Sequence, residues 1–435
     1  MQDADRLREV ANDCVHCGFC LPACPTYELW AEEMDSPRGR IHLVNQILDG
    51  AALTPAAAEH FDRCLGCMAC MTACPSGVQY DQLIEAARAW TEEARPTLSG
   101  PADGNRRDRA LRAAIFALFP YPRRLRAMTR PLRAAQRTGL DRRLTRSSLL
   151  GRLSPALGAA VRLGASGAGR LGPSAAGRLP ERVAARGPRR AVVGMLTGCV
   201  QSVFFPRVNA ATARVLAMEG CEVVIPRGQG CCGALSLHSG REAEAAAFAR
   251  RTIEAFEQPG VDAVVVNSAG CGSAMKEYER LLSDVPDWSG RAAAMSVRDL
   301  SEFLAELGPA APRHPLPVTA AYHDACHLGH AQRITRQPRE LLRAIPDLTL
   351  IELPDAGTCC GSAGVYNLLQ PGAASELGAR KAQAVLDAHA PLLVSANPGC
   401  SLQIAAALAD RGEHVTLAHI AEILDASLRG LPPPR

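Results

Sequence analysis

The chain has 435 residues, 17 of them cysteine, with 47% hydrophobic residues and a net charge of +4. That length predicts two or three domains, and no apolar run approaches the roughly 20 residues a membrane helix needs. The opening stretch MQDADRLREV is charged and lacks the apolar segment of a secretory signal, so the chain is expected in the cytoplasm. In that compartment a disulfide framework is disfavoured, and clustered cysteines point to metal binding or catalysis.

The first hundred residues carry CVHCGFCLPACP (Cys14, Cys17, Cys20, Cys24, Pro25) and CLGCMACMTACP (Cys64, Cys67, Cys70, Cys74, Pro75), two copies of C-x2-C-x2-C-x3-C-P starting 50 residues apart. This is the ligand run of bacterial two-cluster ferredoxins, in which the fourth cysteine of each run binds the other cluster. The expected ligand sets are therefore Cys14, Cys17, Cys20 and Cys74 for one 4Fe-4S cluster, and Cys64, Cys67, Cys70 and Cys24 for the other. Each fourth cysteine is expected to start a helix, with proline at its first position. Between the runs, the SPRG of DSPRGRIHLVNQIL is a turn signal, and Ile41, Val44, Ile47 and Leu48 then follow helical spacing. Arg38 and Arg40 either donate to cluster sulfurs or make ordinary surface or interface contacts.

Residues 81–94 predict a helix closing this domain. Residues 101–190 then hold 21 Arg, no Lys and 4 acidic residues, a local charge of +17. Such a block suits an acidic partner surface or anionic lipid headgroups. A biased coding composition accounts for it equally well, since Lys276 and Lys381 are the only lysines. LRAAIFALFPYPRRLRAMTRPL reads either as a basic amphipathic helix on a membrane surface or as a helix docked on a neighbouring domain. LGASGAGRLGPSAAGRLPERVAARGPRR reads as a flexible linker.

The last 245 residues repeat. Cys199, the doublet Cys231–Cys232 and Cys271 are followed by Cys326, Cys359–Cys360 and Cys400, with gaps of 32 and 39 in the first copy and 33 and 40 in the second. Matching gaps in divergent halves indicate an internal repeat. AVVGML, CEVVIP and DAVVVNS, then VTAAYH, LTLIEL and PLLVSAN, predict short buried strands, with helices over 206–219, 240–257, 336–345 and 373–389 between them: βαβαβ in each half. Each cysteine follows a strand, and parallel sheets form ligand crevices at their strand C-termini. Four distant thiols should thus meet at one end of each sheet. Gly233 and Gly361 would let the doublet's backbone turn. An iron–sulfur cluster, a zinc ion and a redox-active thiol pair all remain open for these two sets. Cys221 falls outside the pattern and is expected to be a buried small hydrophobe.

The quoted N-terminal runs and the two CCG triplets together resemble the iron–sulfur subunits of glycolate oxidase (glycolate dehydrogenase) over nearly the whole chain outside the Arg-rich middle. Lactate-utilisation proteins, the C subunit of anaerobic glycerol-3-phosphate dehydrogenase and heterodisulfide reductases share the CCG repeat. The fold class expected is α+β and α/β: a helical, bacterial-ferredoxin-like two-cluster domain (1–95), an Arg-rich helical and linker region (96–190), and two pseudo-symmetric, Rossmann-like CCG domains (191–312 and 313–435). The resemblance implies an electron-transfer subunit of an oxidoreductase complex, with no catalytic residue of its own. FAD-binding subunits would oxidise glycolate to glyoxylate, and electrons would pass through this subunit to a quinone, with peripheral contact at the cytoplasmic face of the inner membrane. The alternatives are a lactate or glycerol-3-phosphate dehydrogenase subunit, or a heterodisulfide-type thiol reductase. The latter family ends its repeat with C-x-x-C, whereas Ala274 and Gln403 stand at that last position here. Consistent with the electron-transfer role, there is no G-x-G-x-x-G after a strand and no P-loop. Nor is a nucleic-acid partner expected, because no helix-turn-helix signal accompanies the basic block. His323, Asp324, His327 and His330 surround Cys326. They are either structural, or supports beside a cluster or proton donors at a quinone site, His323 and His327 being the candidates for the support role.

Overall fold

A computed structural model describes residues 4–98, 103–138, 155–165, 179–257 and 260–434. The N-terminal region is helical. Ser36 caps the helix Pro37–Leu48 by accepting from the Gly39 amide at 3.0 Å, with Pro37 at its first position. SPRG is thus the start of that helix rather than a turn before it. Cys24 caps the helix Pro25–Trp30 with Pro25 in the first turn, as expected. Cys74 differs: Pro75 leads into a turn, Gly77 adopts a φ of 68°, and the next helix, Tyr80–Leu98, begins later. Leu7, Val10, Ile41, Val44, Phe61, Leu83 and Ile84 form the small core of this region.

The repeat region contains two sheets. The first comprises β1 (Arg182–Val183), β2 (Ala191–Leu196), β3 (Cys221–Val224), β4 (Ala263–Val266) and β5 (Val297–Asp299), in the order β1-β3-β2-β4-β5. The second comprises β6 (Val318–His323), β7 (Leu348–Glu352), β8 (Leu392–Ser395) and β9 (Thr416–His419), in the order β7-β6-β8-β9. All pairings are parallel except that of β1 with β3. Each half therefore has one more parallel strand than the βαβαβ expected. β5 is three residues long and β9 four, with only two buried in each, so their sequences carry little strand signal. The central β4 and β8 are buried along their whole length, as strands covered on both faces must be.

The two halves share one core. Leu216, Val223 and Leu304 of the first half join Tyr322, Leu393 and Leu424 of the second in a single apolar cluster. Cys221 sits within it, fully buried on β3, as a small hydrophobe should. Asn267, just past β4, accepts at its carbonyl from the His419 Nε2–H at 2.9 Å, stitching the halves together.

The Arg-rich middle is docked. Pro120 and Pro122 divide it into the helices Asp103–Leu118 and Pro122–Thr138. Ile115 and Phe116 are buried with Ala159, Val365 and Leu368. The apolar face that a membrane helix would need is occupied by protein, which decides between the two readings of that stretch. Of the expected linker, residues 166–178 lie outside the described residues. Its end is no free linker: Arg182–Val183 form β1, and the Arg186 amide donates to the Ala217 carbonyl at 2.8 Å. Among the described residues no helix is long and apolar enough to cross a membrane.

Candidate metal centres

The eight N-terminal cysteines fall into two groups that mix the two sequence runs. Cys14, Cys17, Cys20 and Cys74 line one small cavity, which Cys70 also touches. Cys24, Cys64, Cys67 and Cys70 line the next. The fourth cysteine of each run thus reaches across to the other run's cavity. Every described cysteine is a free thiol. Burial alone would raise the Cys64 thiol, but the charges of Arg40 and Arg88, the Gly66 amide and the Tyr80 hydroxyl hold it below its usual value. A thiolate is what iron requires.

Arg40 is almost fully buried, so it is no surface residue. It donates to the Asp35 carbonyl at 2.6 Å, the His60 carbonyl at 2.7 Å and the Asp35 carboxylate at 3.2 Å. It therefore braces the loop as well as acting through space on Cys64. Arg38 pairs with Glu33 at 2.6 Å and donates to the His16 carbonyl beside Cys17 at 3.2 Å.

In the first half Cys199 and Cys231 lie 3.7 Å apart, and Cys232 faces Cys271. In the second, Cys359 faces both Cys326 and Cys360, and Cys360 faces Cys400. Cys199 caps a short helix after β2, and Cys271 lies in the first turn of the helix after β4; Cys326 and Cys400 occupy the matching places after β6 and β8. The doublets lie on loops beyond β3 and β7, where Gly233 and Gly361 adopt φ of 86° and 83°. Each doublet's first sulfur accepts from the glycine amide two residues on, at 3.4 Å for Cys231 and 3.5 Å for Cys359. The facing sulfurs, together with burial, push Cys231, Cys271, Cys359 and Cys400 well up. A bound metal reverses that balance, since coordination deprotonates a thiol. Four free, converging thiols per set, with amide donors aimed at sulfur, fit an iron–sulfur group.

Both sets open onto one cavity of about 260 Å³ between the halves. All eight cysteines line it, and so does Cys67 from the N-terminal region. Phe119, Leu132 and Leu163 of the Arg-rich middle line it as well, giving it an apolar side. Sequence spacing gave no hint of this sharing, which depends on how the halves meet.

Of the polar residues around Cys326, three tie neighbouring segments together, and one of these, His327, also lines the shared cavity. His327 donates through Nε2 to the Gly66 carbonyl at 2.8 Å, inside the loop between Cys64 and Cys67. Burial, and then His238 nearby, lower its pKa to about 4, so it stays neutral. His330 bridges Thr72 at 2.9 Å and the Gly357 carbonyl at 2.8 Å. Asp324 pairs with Arg339 at 2.6 Å. His323 is different: it lies beside Cys360 and Cys400. No motif pointed to Arg88, which donates to the carbonyls of Cys64 and, at 2.9 Å, of His238. Nor did one point to Asn397, whose amide donates to the Cys400 sulfur at 3.4 Å.

Comparison with known proteins agrees with this arrangement. Residues 10–78 match a 4Fe-4S dicluster domain, residues 193–276 and 320–405 each match a cysteine-rich CCG domain, and residues 107–163 match the linker region of glycolate oxidase iron–sulfur subunits. The "probable glycolate oxidase iron-sulfur subunit" of Bacillus subtilis is 36% identical over 425 residues, covering 95% of this chain and 93% of its own length. The chain belongs to the glycolate oxidase iron–sulfur subunit family. The corresponding subunit of Escherichia coli is 34% identical over 426 residues, covering 96% of this chain and 94% of that protein. Lactate utilization protein A of an Exiguobacterium species is 30% identical over 240 residues, covering 54% of this chain and 98% of that protein. The chain is thus an iron–sulfur electron-transfer subunit of an oxidoreductase, with a ferredoxin-like dicluster region and two CCG repeats.

Proposed function

We propose that this subunit carries electrons from an FAD-binding partner that oxidises glycolate to a quinone bound between the CCG halves. The observation that carries the reading is the shared cavity. Cys67, in one N-terminal quartet, and all eight repeat cysteines border the same space. A 2-hydroxy acid gives up two electrons, and iron–sulfur clusters supply one-electron steps between a flavin and an acceptor.

In this reading Cys14, Cys17, Cys20 and Cys74 hold the entry cluster. Cys17 is exposed there, and Val15 and Phe19 stand out at 68% and 66% exposure, an apolar rim for a partner subunit. Cys24, Cys64, Cys67 and Cys70 hold the next cluster, where Arg40 and Arg88 stabilise thiolate charge. His327 and Tyr366 fix that loop against the second half, Tyr366 by donating to the Arg63 carbonyl at 3.1 Å. The two CCG quartets hold the metal groups at the cavity. Phe119, Leu132 and Leu163 keep water from its apolar side and suit a quinone ring or tail. Arg123, Arg126 and Arg130, exposed on the helix that carries Leu132, would meet anionic headgroups where the quinone dissolves.

Glycolate is favoured over lactate because the glycolate oxidase relatives span 95% and 96% of the chain, against 54% for the lactate-utilisation protein. The test is co-expression with the FAD-binding subunits. Glycolate should bleach the iron–sulfur absorbance and reduce an added quinone only when those subunits are present. Glycolate oxidation by the isolated chain would end the proposal.

A further inference from the structure

The two CCG quartets match in position, but the residues beneath them do not. The last residue of the strand preceding the first cysteine is Leu196 on β2 and His323 on β6. Its neighbour across the sheet is Val266 in the first half and Ser395 in the second. The residue after the doublet's glycine is Ala234 in the first and Ser362 in the second. At all three places the first half has hydrocarbon and the second has a polar group.

Those polar groups find no nitrogen or oxygen partner. His323 has no exposed surface, and its ring meets only sulfur, that of Cys360 beside it; the buried hydroxyls of Ser395 and Ser362 make no hydrogen bond. Leaving a buried polar group unsatisfied costs about 1–3 kcal/mol, and the first half shows that the fold accepts apolar residues there. A ring nitrogen of His323 and the sulfurs of Cys360 and Cys400 all lie within 4.8 Å of one another. Gln403, at the last C-x-x-C position, offers no competing donor. Its amide nitrogen donates to the Ala374 carbonyl at 2.8 Å and its oxygen accepts from Asn367 at 3.1 Å.

We propose that His323 is a metal ligand, so that the second half holds a mixed thiolate–imidazole site while the first is all-thiolate. The proposal rests on the reading that the CCG halves bind metal. The donor set suits iron in a cluster or zinc, and the experiment separates them.

Iron, zinc and labile sulfide are counted per chain in the full-length wild type and in His323→Leu and His323→Cys, all purified anaerobically. The nitrogen bound to the metal is read in the same samples, by hyperfine spectroscopy with 15N-histidine for iron and by X-ray absorption for zinc. The wild type should show a metal-bound histidine nitrogen. His323→Leu should lose the metal of one site and leave the rest, whereas His323→Cys should keep the full complement without the nitrogen signal. A full complement in His323→Leu, a nitrogen signal that survives in His323→Cys, or no such signal in the wild type overturns the proposal. A wild type with about eight irons and no zinc removes the underlying reading as well, which distinguishes the two failures. If His323→Leu does not fold, His323→Cys and the labelled wild type still decide.

Discussion

The N-terminal region and the repeat region gather cysteines in opposite ways. In the first, short loops and single helical turns bring thiols together, and the region around them is helical with a small core. In the second, two parallel sheets with a continuous apolar core hold thiols far apart in sequence at their strand ends. The contrast locates where the metal contributes most to folding. A loop quartet rests on a small core and a buried ion cluster and leans on its cluster for the rest, whereas a strand-end quartet is placed by the burial of two whole sheets.

The strongest test of that contrast is removal of iron. Chelation under reducing conditions should make residues 4–98 sensitive to protease while the two sheets stay protected, because metal-binding free energy becomes folding free energy where the site has no other support. Equal protection of both regions in hydrogen exchange would break the comparison.

Next comes the buried ion cluster that supports the N-terminal loops. Asp35 is fully buried and meets Arg63 at 2.9 Å, His60 at 3.0 Å and Arg40 at 3.2 Å. Asp35→Ala removes the buried carboxylate that Arg40, Arg63 and His60 share, and should destabilise this region by about 3–5 kcal/mol. The shift should appear in the denaturant midpoint of the N-terminal transition and leave that of the sheets in place.

A pH-dependent effect belongs to the sheets. Burial lowers His419 from its ordinary value of 6.5 to about 4, opposed by its bond to the Asn267 carbonyl. The folded chain keeps it neutral while the unfolded chain takes up a proton. Its contribution is therefore complete above pH 6.5 and lost as pH falls through 4, amounting to about 3 kcal/mol. His419→Gln should remove that slope from the pH profile of urea unfolding; an unchanged slope would show that the ring does not stay neutral.

The smallest effect sharpens the match between the two halves. A Cβ at Gly361 would lie 2.8 Å from the Ala374 carbonyl, and one at Gly233 3.0 Å from the Ala245 carbonyl, both at positive φ. Gly361→Ala and Gly233→Ala should each cost about 1–2 kcal/mol, and thermal unfolding should show similar shifts. A large difference would mean that the doublet loops are not equivalent.

Much of this protein was legible in its sequence because the signals are local or periodic. A C-x2-C-x2-C-x3-C-P run fixes a loop, a buried parallel strand needs consecutive apolar residues, and a repeat announces itself by equal gaps. The six strands read from AVVGML to PLLVSAN are present, while β1, β5 and β9 were missed because they are short and carry at most two buried residues each. What the tertiary structure decided is of another kind. It placed both CCG quartets and Cys67 on one cavity, set the apolar face of the Arg-rich helices against protein, and buried Arg40 beside Asp35. It also buried His323 with no nitrogen or oxygen partner, against two cysteine sulfurs. Each of these depends on contacts between residues far apart in the chain, and no spacing rule encodes which surfaces meet once the elements are formed.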